Sequence, residues 1–363
     1  MDNRVGKVMT VQGLVDPSTL GATLTHEHLF FNLDYYFEDI EDPEKKKMFT
    51  SPLDMKILHY VSYDPYCNKE NCQMQDLDIA LYEVGLFKKA GGGTICDLTA
   101  GGVNFFNRPI EHLRTISERT GIKVVANVTH HQKSGHPPYV AKGTADDVAK
   151  VFLNDIQNGV RDTGIYPGII GEVGCGYVFH EDEKKVARGA ARAHRESGIP
   201  ISFHVHPPKR HDHEIMKIMK EEGVKPEHVV LGHRDGVLTH KDLSWHEKID
   251  YLCSIADYGC YIQFDQCGNQ YHCKAENDGW WFASDRERAA ALFQLVLRGY
   301  EDQILLSHDC GQRNFLAYYG AWGISHILTN FHETMLEAGL DEKVIHKFSY
   351  ENPARMLTIC EKY

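Results

Sequence analysis

Features that would place a protein in a membrane or outside the cell are missing from this sequence. No apolar run approaches the roughly 18 residues that a membrane-spanning helix needs, and residues 1–22 contain no apolar signal-peptide core. Ten cysteines among 363 residues lack the dense spacing of a small disulfide-stapled protein. These absences predict a cytoplasmic protein with reduced thiols and no membrane partner.

An excess of basic residues, typical of proteins that bind nucleic acid, is also absent. The 39 Lys and Arg residues are outnumbered by 51 Asp and Glu residues, which gives a formal net charge of −12. We therefore expect a small-molecule substrate and no nucleic-acid partner. Hydrophobic residues form 42% of the chain, enough to fill a large core. A monomer and a homodimer are both compatible with this composition.

Histidine is abundant, with 22 residues in the chain. Because imidazole is a frequent metal ligand and acid–base group, this abundance favours metal or proton-transfer chemistry. Cys67 and Cys72 are also spaced so that they could pair or bind a metal. Their C-x4-C spacing lacks a second cysteine pair or a nearby histidine run, so a structural role is favoured for them.

Short apolar segments alternate with amphipathic ones along the whole chain. The predicted strands are Thr23–Phe30, Gly93–Thr99, Lys123–Thr129, Gly168–Val173, Ile199–Val205, His228–His233, Cys260–Phe264 and Ile304–His308. Near-continuously apolar strands that alternate with helices indicate a parallel sheet covered by helices. Eight such units without a linker predict a single α/β domain over residues 1–363, a (β/α)8 TIM barrel. Its first βα loop is long, spanning about residues 31–75.

Polar side chains stand at the ends of five of these predicted strands, where TIM barrels carry their functional sites. His26 and His28 form an H-x-H pair whose side chains point to the same face of a strand. The full set is His26, His28, Glu172, His204, His233 and Asp309. Each alone has an ordinary explanation, such as a core histidine or a helix-capping aspartate. Together they match the preferences of a divalent metal, so we predict a metal site at the C-terminal ends of the strands.

Ordered motifs extend this pattern over essentially the whole chain. They include Leu20–Leu29 (LGATLTHEHL), GEVGCG around Glu172, SFHV around His204, Leu231–Asp235 (LGHRD) and Ser307–Cys310 (SHDC). In these motifs the sequence resembles the phosphotriesterase family of the amidohydrolase superfamily. The resemblance implies a TIM-barrel hydrolase with two divalent metal ions per chain. Zinc is the favoured ion, although nitrogen and oxygen ligands do not specify the metal.

The resemblance also implies a role for each candidate ligand. It assigns one metal to His26, His28 and Asp309 and the other to His204 and His233, with Glu172 bridging them. Two such cations lower the pKa of a shared water and polarise the scissile bond. Asp309 is then the expected catalytic residue, which accepts the proton of the nucleophile and passes it to the leaving group. Glu27 points away from its histidine neighbours, so we expect it to support or pack against the site.

The identity of the bridging residue separates branches of the family. Members with phosphotriesterase activity carry a carboxylated lysine there, whereas this sequence has Glu172. The branch with glutamate implies hydrolysis of N-acetyltaurine to taurine and acetate, together with some N-acetyl amino acids. Three alternatives stay open: a lactonase or aryl-ester hydrolase, a weak phosphotriester hydrolase on the same metal centre, and a non-catalytic scaffold barrel.

Substrate contacts must come from the loops that follow the strands. A sulfonate needs a cationic or multi-donor site, for which Arg234, Arg313 and Arg108 are candidates, although arginines there usually form ion pairs or caps. His131 and His206 are further candidate substrate contacts. The aromatic-rich first loop is either a mobile lid or a loop packed against the top of the barrel. The Trp280–Trp281 pair either lines a substrate pocket or packs in the protein interior.

Overall fold

Eight parallel strands form one sheet, which confirms the predicted barrel. A computed structural model describes residues 3–33, 37, 40–99, 109–273 and 279–363 of the chain. The barrel strands are β1 Ala22–Glu27, β2 Gly92–Asp97, β3 Lys123–Val128, β4 Ile169–Cys175, β5 Ile201–Val205, β6 Val229–Leu231, β7 Tyr261–Phe264 and β8 Ile304–Leu306. Strands that follow one another in the chain are neighbours in the sheet.

Hydrogen bonds join the two edge strands, β1 and β8. The amide of Asp309 donates to the carbonyl oxygen of His26 at 3.2 Å. The amide of His26 in turn donates to Ser307 Oγ at 2.9 Å. These bonds satisfy backbone groups that an open sheet would leave at its edge, and they place the ends of β1 and β8 side by side.

Both faces of the strands are buried, which explains their near-continuous apolar sequences. In β8, Ile304 and Leu306 pack into the large cluster that joins the sheet to the outer helices. Leu305 points the opposite way, into a smaller apolar cluster inside the barrel. Apolar side chains fill the interior of the barrel. The polar side chains at the strand ends form a separate layer above this apolar cluster.

Helices follow the strands and cover the outside of the barrel. They are α1 Leu77–Lys89, α2 Ile110–Thr120, α3 Ala145–Asn158, α4 Glu181–Ser197, α5 Asp212–Glu221, α6 Trp245–Ala256, α7 Asp285–Leu297, α8 Asn330–Glu337, α9 Glu342–His346 and α10 Asn352–Leu357. Capping boxes begin α3, α6 and α7 at Thr144, Ser244 and Ser284, where each hydroxyl accepts a bond from the third helical amide. In the described part of the chain, no helix combines the length and apolar character needed to cross a bilayer.

Shorter elements lie outside the repeating units. Two short helices, Pro43–Phe49 and Leu58–Val61, lie in the first βα loop. Within the described ranges, three antiparallel pairs complete the strands: Val8–Thr10 with Gly13–Val15, Phe31–Asn32 with Gln73–Met74, and His272–Cys273 with Trp280–Trp281. The second pair closes the base of the first loop, and the third forms a hairpin in the loop after β7.

Candidate metal centre

Glu172 lies at the centre of the strand-end cluster. Its Oε2 atom is 3.3 Å from His26 Nε2, 3.2 Å from His204 Nδ1 and 3.4 Å from His233 Nε2. Its Oε1 atom is 3.6 Å from His28 Nε2. Residues in or just after β1, β5 and β6 thus meet around this carboxylate of β4, as the sequence pattern predicts.

Asp309 approaches the cluster from the end of β8. Its Oδ1 atom is 2.8 Å from His28 Nε2 and 3.6 Å from His26 Nε2. Its Oδ2 atom accepts a hydrogen bond from Gln266 Nε2 at 2.9 Å. The six predicted ligands are therefore brought together, and Asp309 has the most exposed side chain of the six, at 18%, and lines the cavity described below.

Backbone conformation helps to aim two of these side chains. His233 and Asp309 have φ angles of 57° and 50°, in the left-handed region that non-glycine residues adopt uncommonly. His233 lies two residues beyond the end of β6 and Asp309 three residues beyond the end of β8, so the chain changes direction at these two side chains. Backbone strain of this kind often accumulates at functional sites.

A buried aspartate that the sequence analysis missed orients two of the histidines. Asp265 follows β7, and its two carboxylate oxygens accept from His26 Nδ1 at 2.9 Å and His233 Nδ1 at 2.8 Å. These contacts keep a proton on Nδ1 of each imidazole and direct Nε2, the atom available to a metal, at the cluster. The sequence did contain a signal for Asp265. It directly follows an apolar strand, and the predicted metal ligands also lie at strand ends.

The donor atoms fit a divalent metal. Among the described residues, the buried Nε2 of His26 makes no hydrogen bond, although Glu172 and Asp309 oxygens surround it. An unsatisfied buried nitrogen is costly, and a metal ion would satisfy it. Imidazole nitrogens and carboxylate oxygens are ligands that zinc and similar divalent ions accept. The residues present therefore fit the metal that the sequence predicts.

Electrostatics in the cluster favour positive charge. Burial lowers the pKa of His26, but the charges of Glu172 and Asp265 outweigh burial and leave it well above its usual value. Burial also lowers the pKa of His233, but the nearby Asp265 carboxylate outweighs burial and raises this pKa to about 10. Burial raises the pKa of Glu172, but His26 and His131 hold it well below the ordinary range. The carboxylates thus attract cations to this end of the barrel.

His131, a predicted substrate contact, lies within the metal cluster itself. Its Nε2 atom is 3.5 Å from Glu172 Oε1, and its ring is 4.5 Å from that of His204. Burial lowers the pKa of both imidazoles, so both stay neutral, the form in which histidine binds metals. Two residues missed from the sequence contact other ligands: Thr99 Oγ1 lies 3.0 Å from His28 Nδ1, and Gln132 Nε2 lies 3.0 Å from His204 Nε2.

Glu27 faces away from the cluster, as its position in H-x-H predicts. Its Oε1 atom accepts from Ser307 Oγ at 2.8 Å and from the amide of His308 at 2.9 Å. It also lies 2.7 Å from His308 Nδ1. Glu27 therefore ties β1 to the end of β8 and supports the segment that carries Asp309.

A cavity opens above the cluster. Its empty volume is about 870 Å³, the open mouth included. Its aromatic wall comes from the loops after β1 and β7 and consists of Phe31, Tyr66, Tyr271, Trp280 and Phe282. His206, the other predicted substrate histidine, also lines the cavity, and its ring centroid is 6.1 Å from that of Trp280. The cavity joins reactive groups at its floor to an apolar wall, a typical arrangement for a small-molecule site.

Comparison with known proteins places this site in a family. The phosphotriesterase family profile matches residues 6–357. The N-acetyltaurine hydrolases of Bos taurus and Homo sapiens are each 33% identical to the chain, over 99% of this chain and 99% of each relative. The chain belongs to the phosphotriesterase family. It is therefore an enzyme from a family of metal-dependent hydrolases.

Solved structures agree with this assignment. A resiniferatoxin-binding protein from Rhodobacter sphaeroides matches with a TM-score of 0.91 at 32% identity, over 99% of this chain and 97% of that chain. A lactonase from Listeria monocytogenes matches with a TM-score of 0.76 at 26% identity, over 98% of this chain and 100% of that chain. This chain therefore shares its fold with both solved structures over nearly its full length.

The predicted arginine contacts lie elsewhere. Arg234 is fully buried and donates to Asp212 Oδ2 at 2.9 Å and to the Val205 carbonyl at 2.7 Å. Arg234 is not among the residues that line the cavity. Arg108 lies outside the described residues.

Arg313 connects two loops beside the cavity. Its Nη1 atom donates to Glu70 Oε1 at 2.8 Å and to the hydroxyl of Tyr319 at 2.9 Å. Nearby, Asn71 Nδ2 donates to Asn314 Oδ1 at 2.7 Å. The described part of the first loop is thereby packed against the loop after β8, and Arg313 is not among the residues that line the cavity. Tyr35 and Tyr36 of the first loop lie outside the described residues.

Proposed function

We propose that this chain is a binuclear amidohydrolase whose main substrate is N-acetyltaurine, with some N-acetyl amino acids as further substrates. The observation that carries the proposal is the convergence of four imidazoles and two carboxylates around the buried, unbonded Nε2 of His26. The end-to-end similarity to the N-acetyltaurine hydrolases of Bos taurus and Homo sapiens supports the substrate.

The ligands divide between two ions. His26, His28 and Asp309 would hold one ion and His204 and His233 the other, with Glu172 shared between them. Bound there, two divalent ions, with zinc favoured, would lower the pKa of a water and polarise the amide carbonyl. Asp265 keeps the Nε2 atoms of His26 and His233 directed at the centre by accepting from their Nδ1 atoms.

Asp309 is the proposed proton carrier. One of its oxygens faces His28 and the other accepts from Gln266, so the carboxylate is held at the edge of the cavity. From there it accepts a proton from the attacking water and delivers it to the leaving nitrogen. Proton delivery is needed because an amine leaves an amide poorly unless it is protonated.

Neutral donors are the proposed partners of the distal sulfonate. Among the described residues that line the cavity there is no arginine or lysine. Trp280 carries a buried Nε1–H that makes no hydrogen bond with the described residues, and His206 lies beside it. A hydrogen bond to an anion is stronger than one between neutral groups, so this N–H is a suitable contact for the sulfonate.

A lactone is the second candidate substrate. The lactonase from Listeria monocytogenes has the same barrel at 26% identity. A lactonase activity would not depend on a distal anion, whereas the proposed amidase activity would. The two candidates therefore differ in their response to changes at Trp280.

The test is acetate release from N-acetyltaurine by purified protein of measured metal content. N-acetyl amino acids, a lactone and an aryl phosphotriester are assayed beside it. We expect rapid cleavage of N-acetyltaurine that stops on chelation and returns with added metal. Cleavage of the lactone alone would replace the proposed substrate by the second candidate. Inactivity on all substrates with two ions bound would reject both.

A further inference from the structure

A second group of metal-binding side chains lies at the opposite end of the barrel. His194 is in the last turn of α4, His228 directly precedes β6, and Cys360 follows the last helix. Their donor atoms all lie within 4.8 Å of one another. The N-terminal ends of the strands lie here, so this group is separate from the candidate metal centre.

The backbone of Cys360 is held close to the end of α4. Its N–H donates to the carbonyl oxygen of Gly198 at 3.0 Å. Gly198 has a φ of 76°, and any Cβ there would overlap the Cys360 carbonyl. Glycine therefore serves two purposes: it ends the helix in the left-handed conformation, and it lets Cys360 approach the histidines.

His194 is oriented as a metal-ligating histidine. Its Nδ1–H donates to the carbonyl oxygen of Ile199 at 2.8 Å, which leaves the lone pair on Nε2. Metal-binding histidines commonly use this Nδ1 contact to fix the ring. Nε2 accepts from the Tyr363 hydroxyl at 2.8 Å, and that hydroxyl accepts from the amide of Lys225 at 3.0 Å.

Both imidazoles of the group are neutral near pH 7. Burial lowers the pKa of His194 to about 4 and also lowers that of His228. The two ring centroids are 5.1 Å apart. Burial raises the pKa of the Cys360 thiol, so a bound metal must displace a proton from sulfur.

We propose that His194, His228 and Cys360 form a second type of metal site in this protein, for a single zinc-like ion. Two imidazoles and one thiolate are ligands that zinc prefers, with the fourth position left for water. Binding forms a metal–sulfur bond, releases the thiol proton to solvent, and replaces the Tyr363 hydroxyl as the partner of His194 Nε2. The ion ties the end of α4, the entry to β6 and the segment after the last helix together.

Cobalt distinguishes this site from the candidate metal centre. The ligands at the centre are nitrogen and oxygen atoms, so a thiolate-to-cobalt charge-transfer band in the near ultraviolet reports only on a cysteine. We would strip the full-length protein with a chelator and titrate it with Co²⁺. We expect this band to appear and then to disappear when Zn²⁺ is added.

Single substitutions identify which residue gives rise to the charge-transfer band. Cys360→Ser is expected to abolish it and to lower the number of bound ions by one. Cys67→Ser is the matched control, because Cys67 is also half-buried but lies in the first βα loop, and it should leave the band unchanged. The absence of the band from the unmodified protein, or its persistence in Cys360→Ser, would overturn the proposal.

Two further variants keep the test decisive if Cys360→Ser folds poorly. His228→Gln is expected to weaken cobalt binding at this band by about tenfold or more. Tyr363→Phe removes the hydroxyl that competes for His194 Nε2, so it should strengthen binding. If His228→Gln binds cobalt with unchanged affinity, as measured by this band, the His228 imidazole is not a ligand and the site as proposed is wrong.

Discussion

The floor and the wall of the central cavity are built in different ways. The floor consists of charged and imidazole groups at strand ends, and Asp265 contacts two of them, His26 and His233. The wall consists of aromatic side chains from loops distant in sequence, with Phe31 and Trp280 on the same cavity. Under the proposed function, this difference separates two tasks: the floor would supply the chemistry and the wall would select the substrate.

The largest expected effect comes from the floor. Asp309→Asn removes the proposed proton carrier, so kcat should fall by about 10²- to 10⁴-fold, the usual contribution of a general acid–base group. The measurement is steady-state hydrolysis of N-acetyltaurine at matched metal content. Asp257→Asn is the control, because Asp257 is exposed, its carboxylate accepts from the Tyr300 hydroxyl, and it does not line the cavity. If kcat of the variant stays within tenfold of that of the unmodified enzyme, Asp309 is not the proton carrier.

Loss of orientation in the floor should have a smaller effect. Asp265→Asn keeps the shape of the side chain but replaces one of its two acceptor oxygens, so His26 or His233 loses its fixed ring orientation. We expect metal affinity to fall by about 10- to 100-fold, measured by competition with a chelator. Excess metal should restore much of the activity. Unchanged affinity would mean that Asp265 contributes packing and not ligand orientation.

A change in the wall should affect substrate binding and leave the chemistry intact. Trp280→Phe replaces the indole with a smaller phenyl ring that has no N–H donor, so KM for N-acetyltaurine should rise by at least about tenfold, the effect of losing a hydrogen bond of about 1.5 kcal/mol to a charged group. Its kcat should stay within about twofold. Trp281→Phe is the matched control, because Trp281 is half exposed and does not line the cavity. Equal KM increases in both variants would argue against a specific contact.

The smallest effect expected is no change at all. Glu172 is already a carboxylate, so the floor needs no carbon dioxide to complete a bridging ligand. Metal-free protein reloaded in carbon dioxide-depleted buffer should regain the same activity as protein reloaded with bicarbonate. A rise in activity with bicarbonate would contradict the assignment of Glu172 as the bridge.

Sequence patterns predicted the floor because its residues sit at regular positions in the barrel. The H-x-H spacing of His26 and His28 and the strand ends at His204 and His233 depend only on local periodicity and strand order. Asp265 directly follows β7 in the same way, so the same strand-end reasoning applies to it, although the sequence analysis did not include it among the candidates. Arg234 shows the opposite limit, since it follows His233 in the sequence but its side chain is fully buried and donates to Asp212.

The amino-acid sequence by itself determined the eight-unit barrel, the end of it that carries the polar groups, and the six convergent candidate ligands. These features follow from periodicity and strand order, which are local properties of the chain. Only the tertiary structure decided the aromatic wall, the Asp265 contacts and the approach of Cys360 to His194 and His228. Those contacts join residues far apart in sequence, and their distances depend on how loops and helices pack, which no local pattern encodes.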